Sequence, residues 1–403
     1  MGVLGLCGLA LPLIVARLYG AETFGAFSQV LALHFILAQV AVGGFVFSTL
    51  SHVGLNAEDA GAVRAIVTAA LILAAGLGLI VSVGVWGCGP AIGRLLESPL
   101  VGEGLRWISL GLGCFALNKV LLFALNGLNR MRAYAMGQAA RGVLMLAALA
   151  VLALAEAPGG MLPAALSLGE AMLLIGLTIY WWPRFPPAPW RTLRAWFPRH
   201  LVFGARAFFS GLLLDVNSRV DVVMLGYFTG DRVVGLYSFA ALWTEGAYQI
   251  VVVIQTLLNP VLSRLRAAGL GREIRALRSR TTRRLLPAMA ALTALSLGIY
   301  PAVASGLTGD PTFVEGRLWF LTLMAGLTVA SGHLVFGFFL NQWGFPGWFA
   351  AYVALAALTN VALNAILIPL WEAQGAATAT ALTFILSAVY LRVLALRVAG
   401  VRI

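Results

Sequence analysis

Charge is scarce in this sequence. Asp, Glu, Lys and Arg together make up 10% of its 403 residues, where a soluble domain carries about a quarter. Hydrophobic residues reach 61%, which excludes water as the main solvent and puts the bilayer in its place. Acids are scarcer than bases, 15 against 27, leaving a net charge of +12. In a soluble chain that excess would point to nucleic acid. In a membrane chain it reports orientation, because basic residues collect in the loops that stay in the cytosol. The three cysteines, Cys7, Cys88 and Cys114, are too few and too scattered for a disulfide framework or a metal site. No Ser/His/Asp set, metal-ligand cluster, P-loop or dinucleotide fingerprint occurs. The pattern therefore asks for no cofactor and argues against ATP-driven transport by this chain. The opening stretch MGVLGLCGLALPLIVAR has neither the positive n-region nor the small-residue cleavage pattern of a signal peptide, so it is expected to remain as the first span.

Apolar runs broken by Gly, Pro and charge predict an all-α polytopic membrane protein with about twelve transmembrane helices. The spans cover residues 2–18, 23–50, 65–86, 104–126, 135–156, 163–182, 201–226, 235–262, 285–305, 316–340, 347–369 and 377–398. An even number puts both termini on one side. If that side is the cytosol, the inside loops hold Arg64, Arg130, Arg132, Arg184, Arg191, Arg194, Arg199, the arginines from Arg264 to Arg284, and Arg392, Arg397 and Arg402. The outside offers Arg17, Arg94, Arg106, Arg232 and Arg317. The positive-inside rule then makes both termini cytosolic, in a bacterial inner membrane.

The Pro- and Arg-rich stretch PRFPPAPWRTLRAWFPRH, residues 183–200, divides the chain into two six-helix lobes, 1–182 and 201–403, and reads as a cytosolic linker. An internal repeat supports the division. Gly20, Glu22, Gly25, Phe27 and Ser28 after the first span match Gly230, Asp231, Gly235, Tyr237 and Ser238 after the seventh, at an offset of 210 residues from Gly20 to Gly230. Each copy predicts a tight turn in which Gly permits unusual backbone angles. Six spans between copies give the lobes the same orientation, as in parallel repeats. Residues 263–284 form a basic helical segment that suits the anionic headgroup surface.

Charges inside spans are expensive, about 2.5 to 3.5 kcal/mol each at the bilayer centre, so those present mark candidate sites. They are Lys119, Arg141, Arg206, Arg219, Glu170, Asp215, Asp221 and Glu245. Lys119, Arg141 and Arg206 each fall about six residues from the cytosolic end of their span, roughly 9 Å deep. Asp215 and Glu245 fall near mid-membrane, and Glu170, Arg219 and Asp221 in the outer half. Cations on the cytosolic side would draw in an anion such as a diphosphate, which guanidinium groups bind as a planar fork. Two simpler readings stand beside this: Asp215 and Arg219, four apart, could neutralise each other, and Lys119 and Arg206 could reach the headgroups. Tyr134, Gln138 and Arg141 share a polar face, as do Glu245, Gln249, Thr256 and Asn259, and such stripes line a lumen better than lipid. His34 and His333 read as hydrogen-bonded interior residues. Asp215 and Glu245 are the candidates for binding H+ or Na+, since an ionised acid at that depth is costly and its loading can bias two conformations.

VARLYGAETFGAFS near the start, RVDVVMLGYFTGDRVVGLYSFA around the seventh span, and NVALNAILIPLWEAQGAATAT from Asn360 to Thr380 resemble the polysaccharide transporter family, which includes O-antigen exporters. That family lies within the multidrug, oligosaccharidyl-lipid and polysaccharide exporter superfamily. The resemblance implies two six-helix lobes around a cationic cavity. It implies a flippase moving a polyprenyl-diphosphate-linked oligosaccharide from inner to outer leaflet by alternating access, for cell-surface polysaccharide or lipopolysaccharide synthesis. It places Arg17 at the family's basic position after the first span and Asp221 at its acid in the seventh. Two alternatives compete. A cation-coupled drug or small-solute antiporter would favour acids over Lys119 and Arg141 in the first lobe. An O-antigen ligase or polymerase would need a large outside loop, whereas the longest here, about residues 87–103, offers only Glu97 and Glu103 as bases. The chain is expected to be a transporter and not an enzyme.

Overall fold

The computed structural model describes residues 2–401. Arg402 of the cytosolic charge set lies outside the described residues, as do the side chains of residues 2–4, 210 and 272, Arg272 among them.

The described residues are helical almost throughout, in the order α1 (Gly2–Val42), α2 (Phe45–Leu55), α3 (Ala60–Leu95), α4 (Pro99–Gly127), α5 (Met131–Leu154), α6 (Ala164–Trp181), α7 (Trp190–Leu193), α8 (Trp196–Phe228), α9 (Asp231–Ala267), α10 (Gly271–Thr308), α11 (Arg317–Leu334), α12 (Phe339–Gln342) and α13 (Pro346–Ala399). Helices begin where the sequence caps them. Asp59 accepts from the Ala62 amide ahead of α3, and Ser98 from the Val101 amide ahead of α4.

Among the described residues, nine helical stretches are long and apolar enough to cross a membrane. Two of them each hold two spans. α1 breaks at Gly20 (φ 79, ψ −178), a backbone state that costs glycine little. α13 breaks at Glu372 (φ 48, ψ −127), three residues after Pro369 removes a helical amide. α8 covers the seventh predicted span. About twelve crossings result, as expected. The repeat is less symmetric than its sequence. Gly20 takes the positive φ, but Gly230 has an ordinary φ of −96 and simply starts α9.

The chain falls into two compact units, Met1–Asp215 and Val216–Ile403. In the first unit, Gly93 of α3 meets Gly102 of α4 without side chains between them, the close approach that small residues allow in membrane helix pairs. Residues 183–200 are docked on this unit. Arg64 donates from Nε to the Pro186 carbonyl (2.8 Å) and from Nη2 to the Pro187 carbonyl (3.1 Å), the Ala188 amide donates to Thr68 Oγ1 (3.1 Å), and Leu193 is buried against Ala65 and Ala69. His200 is fully buried, with Nδ1 2.9 Å from Ser48 Oγ and Nε2 3.0 Å from the Ile66 carbonyl. In the second unit an aromatic core of Phe239, Tyr300, Phe313 and Phe320 joins α9, α10 and α11, with Tyr300 stacked on Phe320 at 4.9 Å.

Candidate functional site

In the first unit, three helices each present one polar face to a common point. α4 supplies Phe115, Asn118 and Lys119 at helical spacing, α5 supplies Tyr134, Gln138 and Arg141, and α6 supplies Glu170. Arg141 Nε lies 2.8 Å from Glu170 Oε1, and both side chains are buried. Asn118 Nδ2 donates to Glu170 Oε2 at 2.7 Å and to its carbonyl at 2.8 Å. Arg141 Nη1 donates to Gln138 Oε1 (3.4 Å), whose amide donates to the Tyr134 hydroxyl (3.1 Å). Arg141 Nη2 is buried without a hydrogen-bond partner.

Lys119 shares this site through an aromatic ring. Its Nζ stands 5.2 Å from the Phe115 centroid and 5.9 Å from that of Phe123, while the Arg141 guanidinium stands 4.9 Å from Phe115. His34 meets the same ring edge-on at 5.8 Å. Lys119 makes no hydrogen bond or ion pair with any described residue. Lys119 and Arg141 thus stand beside one another with Glu170 bonded to the arginine, while Asp215 of α8 also acts on Lys119 through space. Lys119 is also the single lysine of the chain.

Glu170 is the residue that sequence reasoning misplaced. It was expected in the outer half and Arg141 near the cytosolic end, yet they touch. The cause is at the helix ends: α5 starts at Met131, four residues before the predicted span, so Arg141 sits a turn deeper. The predicted layering of charge does not hold for this pair.

In the second unit Arg219 forks onto Glu245, Nη1 to Oε1 at 2.6 Å and Nη2 to Oε2 at 3.2 Å, joining α8 to α9. Asp221 is buried; the Tyr237 hydroxyl donates to its Oδ2 at 2.6 Å, Thr380 Oγ1 to the same atom at 3.4 Å, and the Val222 amide to Oδ1 at 2.9 Å. No cation lies within ion-pair distance of it among the described residues. Asn360 Nδ2 reaches the Asn217 carbonyl at 2.8 Å, and Asn364 Nδ2 reaches Asn360 Oδ1 at 2.7 Å. The motif from Asn360 to Thr380 thus closes on the motif of the seventh span, which is what gives two distant polar stretches one purpose. Neither Tyr237 nor Asn364 was singled out beforehand as a contact; their signal was polar side chains recurring within these apolar motifs.

Arg17 is exposed on α1, and Asp215 is half-buried on α8. Arg206 is exposed and lines a groove of about 650 Å³ with His52, Pro198, Arg199, Val202, Phe203 and Ala207. No contact joins Arg206 to Lys119 or Arg141.

A bundle of about twelve spans with buried charge in each half has the fold of transporters of the MOP superfamily. Solved structures show the likeness. An inward-facing multidrug resistance MATE family transporter of that superfamily superposes with a TM-score of 0.82 at 14% identity, covering 96% of this chain and 92% of that one. The lipid II flippase MurJ in an inward closed conformation gives 0.79 at 15%, covering 96% and 84%. A MOP superfamily transporter from Pyrococcus furiosus Vc1 (DSM3638), described as having a binding pocket of reverse polarity, gives 0.65 at 17%, covering 99% and 93%. The chain belongs to the polysaccharide biosynthesis protein family, whose sequence profile matches residues 6–266. No curated protein matches it significantly in sequence.

Proposed function

We propose that this protein is a flippase for a lipid-diphosphate-linked oligosaccharide, moving it from the inner to the outer leaflet by alternating access in the synthesis of a cell-surface polysaccharide such as O-antigen. The observation that carries the reading is Lys119, which makes no direct bond to a described residue, beside Arg141 with its unpartnered Nη2. A lysine inside a span with no ion pair or hydrogen bond of its own keeps its three donors available to a visiting anion. A diphosphate supplies that anion, with several strong acceptors. Membership of the polysaccharide biosynthesis family makes a glycan carrier the fitting source of the diphosphate. A lipophilic cationic drug would be repelled by the same site.

Arg141 and Lys119 are the proposed central contacts, with Arg17, Arg206 and Arg219 as further cations along the substrate's path. Coupling to H+ or Na+ is assigned to Asp215 and Glu245, and Asp221 joins them because it has hydroxyl and amide donors but no cation. The orientation follows the charge asymmetry, with both termini cytosolic in the inner membrane of a bacterium. The chain then needs no catalytic group of its own.

The test is reconstitution of the full chain in vesicles with a fluorescent oligosaccharide on a polyisoprenyl diphosphate, scored by access of a lectin to the outer leaflet. Transfer that depends on the protein and falls at least tenfold in Lys119→Ala is expected. Vesicles that move a cationic dye but not the glycolipid would overturn the reading in favour of a drug antiporter.

A further inference from the structure

The groove on the first unit is built from one face of α8 and the end of α2. Arg199 and Arg206 are seven residues apart, two turns of helix, so both project to the same side about 10 Å from each other along the axis. Between them Val202, Phe203 and Ala207 form an apolar wall, and His52 faces them from α2. No carboxylate lines the groove. Neither arginine makes a hydrogen bond or ion pair with a described residue, unlike Arg141 and Arg219, which are each matched by a glutamate. The Arg199 guanidinium is instead held 4.6 Å over the Trp196 ring.

The walls are fixed without a ligand. His200 is buried on the face of α8 turned to α2 and α3, bonded to Ser48 and the Ile66 carbonyl. A Cβ on Gly204 would come within 2.9 Å of the Gly43 carbonyl oxygen, so the helices are in contact there. His52 packs edge-on against Trp196 at 5.4 Å and Phe203 at 5.9 Å. The cavity volume lies within the usual range for small-molecule sites, roughly 300 to 1,000 Å³. Two unmatched forks set two turns apart along a preformed apolar wall suit an amphiphile whose head carries more than one phosphate.

We infer that the Arg199, Arg206 and His52 groove is a second binding site, for the diphosphate head and first isoprene units of a lipid carrier, separate from the Lys119 and Arg141 cluster. The inference rests on the lipid-diphosphate substrate proposed above and adds a loading position to it. Both phosphates accept from the two guanidinium groups, and Val202 and Phe203 cover the start of the chain. In the expected orientation the groove lies on the cytosolic side, where the head must be collected before it moves inward.

The full-length protein in nanodiscs of neutral lipid is titrated with a polyisoprenyl diphosphate, with inorganic pyrophosphate and phosphatidylglycerol as competitors. Arg199→Ala with Arg206→Ala should weaken lipid diphosphate binding at least tenfold, and the paired Lys substitutions should fall between, keeping charge but losing the fork. Both arginines are exposed, so the variants should fold; Arg275→Ala, also exposed, controls for net charge and should bind as wild type. Each competitor should need at least tenfold higher concentration than the lipid diphosphate. Equal competition by pyrophosphate, or by phosphatidylglycerol, would overturn the inference, showing a free-phosphate site or an ordinary lipid contact. Wild-type affinity in the double Ala variant, with binding abolished by Lys119→Ala, would overturn the groove and leave the central site standing. No lipid diphosphate binding in any form would overturn both.

Discussion

Arg141 and Glu170 meet at 2.8 Å inside the first unit, and the same carboxylate takes a 2.7 Å hydrogen bond from Asn118. The pair therefore ties α4, α5 and α6 together at the level of Lys119. Removing one partner of a buried ion pair strands the other charge, at a cost of about 3 to 5 kcal/mol. Glu170→Gln should lower the detergent melting temperature sharply. Arg141→Met with Glu170→Leu should recover most of that stability, because neither member of the ion pair is left without its partner, while export stays lost. Recovery of export as well would reduce the pair to a structural tie and remove Arg141 from the substrate contacts.

Lys119 gives an unusually clean probe because the chain has no other lysine. An amine-directed reagent on protein with a blocked N-terminus should modify one site only. Labelling should be slowed severalfold by an added lipid diphosphate and untouched by the same lipid without phosphates. Labelling at an unchanged rate with saturating lipid diphosphate would take Lys119 out of the site.

The contact of α8 with the break between α1 and α2 predicts an intolerant glycine. Gly204→Ala forces a Cβ against the Gly43 carbonyl, and overpacking of this kind costs about 1 to 3 kcal/mol. Gly246, with open space around its Cβ position, is the matched control on α9. A thermal unfolding series should show a clear loss for Gly204→Ala and little change for Gly246→Ala.

Much of the architecture was legible in the order of apolar runs and breakers, since a bilayer forces every backbone polar group into helices. The pairing of charges was not. Depth read from span ends drifts by a turn, as at Met131, and that moved Arg141 away from Glu170 on paper. The stretch 183–200 looked like a linker because proline and arginine suit exposed loops. It docks because Arg64 and Thr68 sit one turn apart on α3 and hold its free carbonyls and amide. Composition carries no record of such partners.

Orientation is open to a direct measurement. A cysteine replacing Ala268, in the turn between α9 and α10, should resist a membrane-impermeant thiol reagent in intact cells and react once they are opened. The exposed native Cys88 should be changed to Ser first. Ready labelling in intact cells would invert the orientation and put the Arg199 groove on the wrong side for loading.

Arg219 and Glu245 bear on energy coupling. Their fork is half-exposed, with 26% and 43% of the side chains accessible, so its own worth is modest, on the order of 1 kcal/mol or less. A weak pair is suited to being broken and remade, whereas a structural pair would be buried like Arg141 and Glu170. If loading of Glu245 by a cation or proton releases Arg219, then Glu245→Gln should uncouple export from the ion gradient while the protein stays stable. Arg219→Gln alone should leave an unmatched acid and raise its demand for an external cation. The double variant separates the roles. Export restored to a gradient-dependent rate in Glu245→Gln with Arg219→Gln would show that Glu245 only neutralises Arg219, and coupling would then pass to Asp221 or Asp215. Export that persists without gradient dependence in both Glu245 variants assigns the coupling to Glu245, and Asp221→Asn should then retain a gradient response.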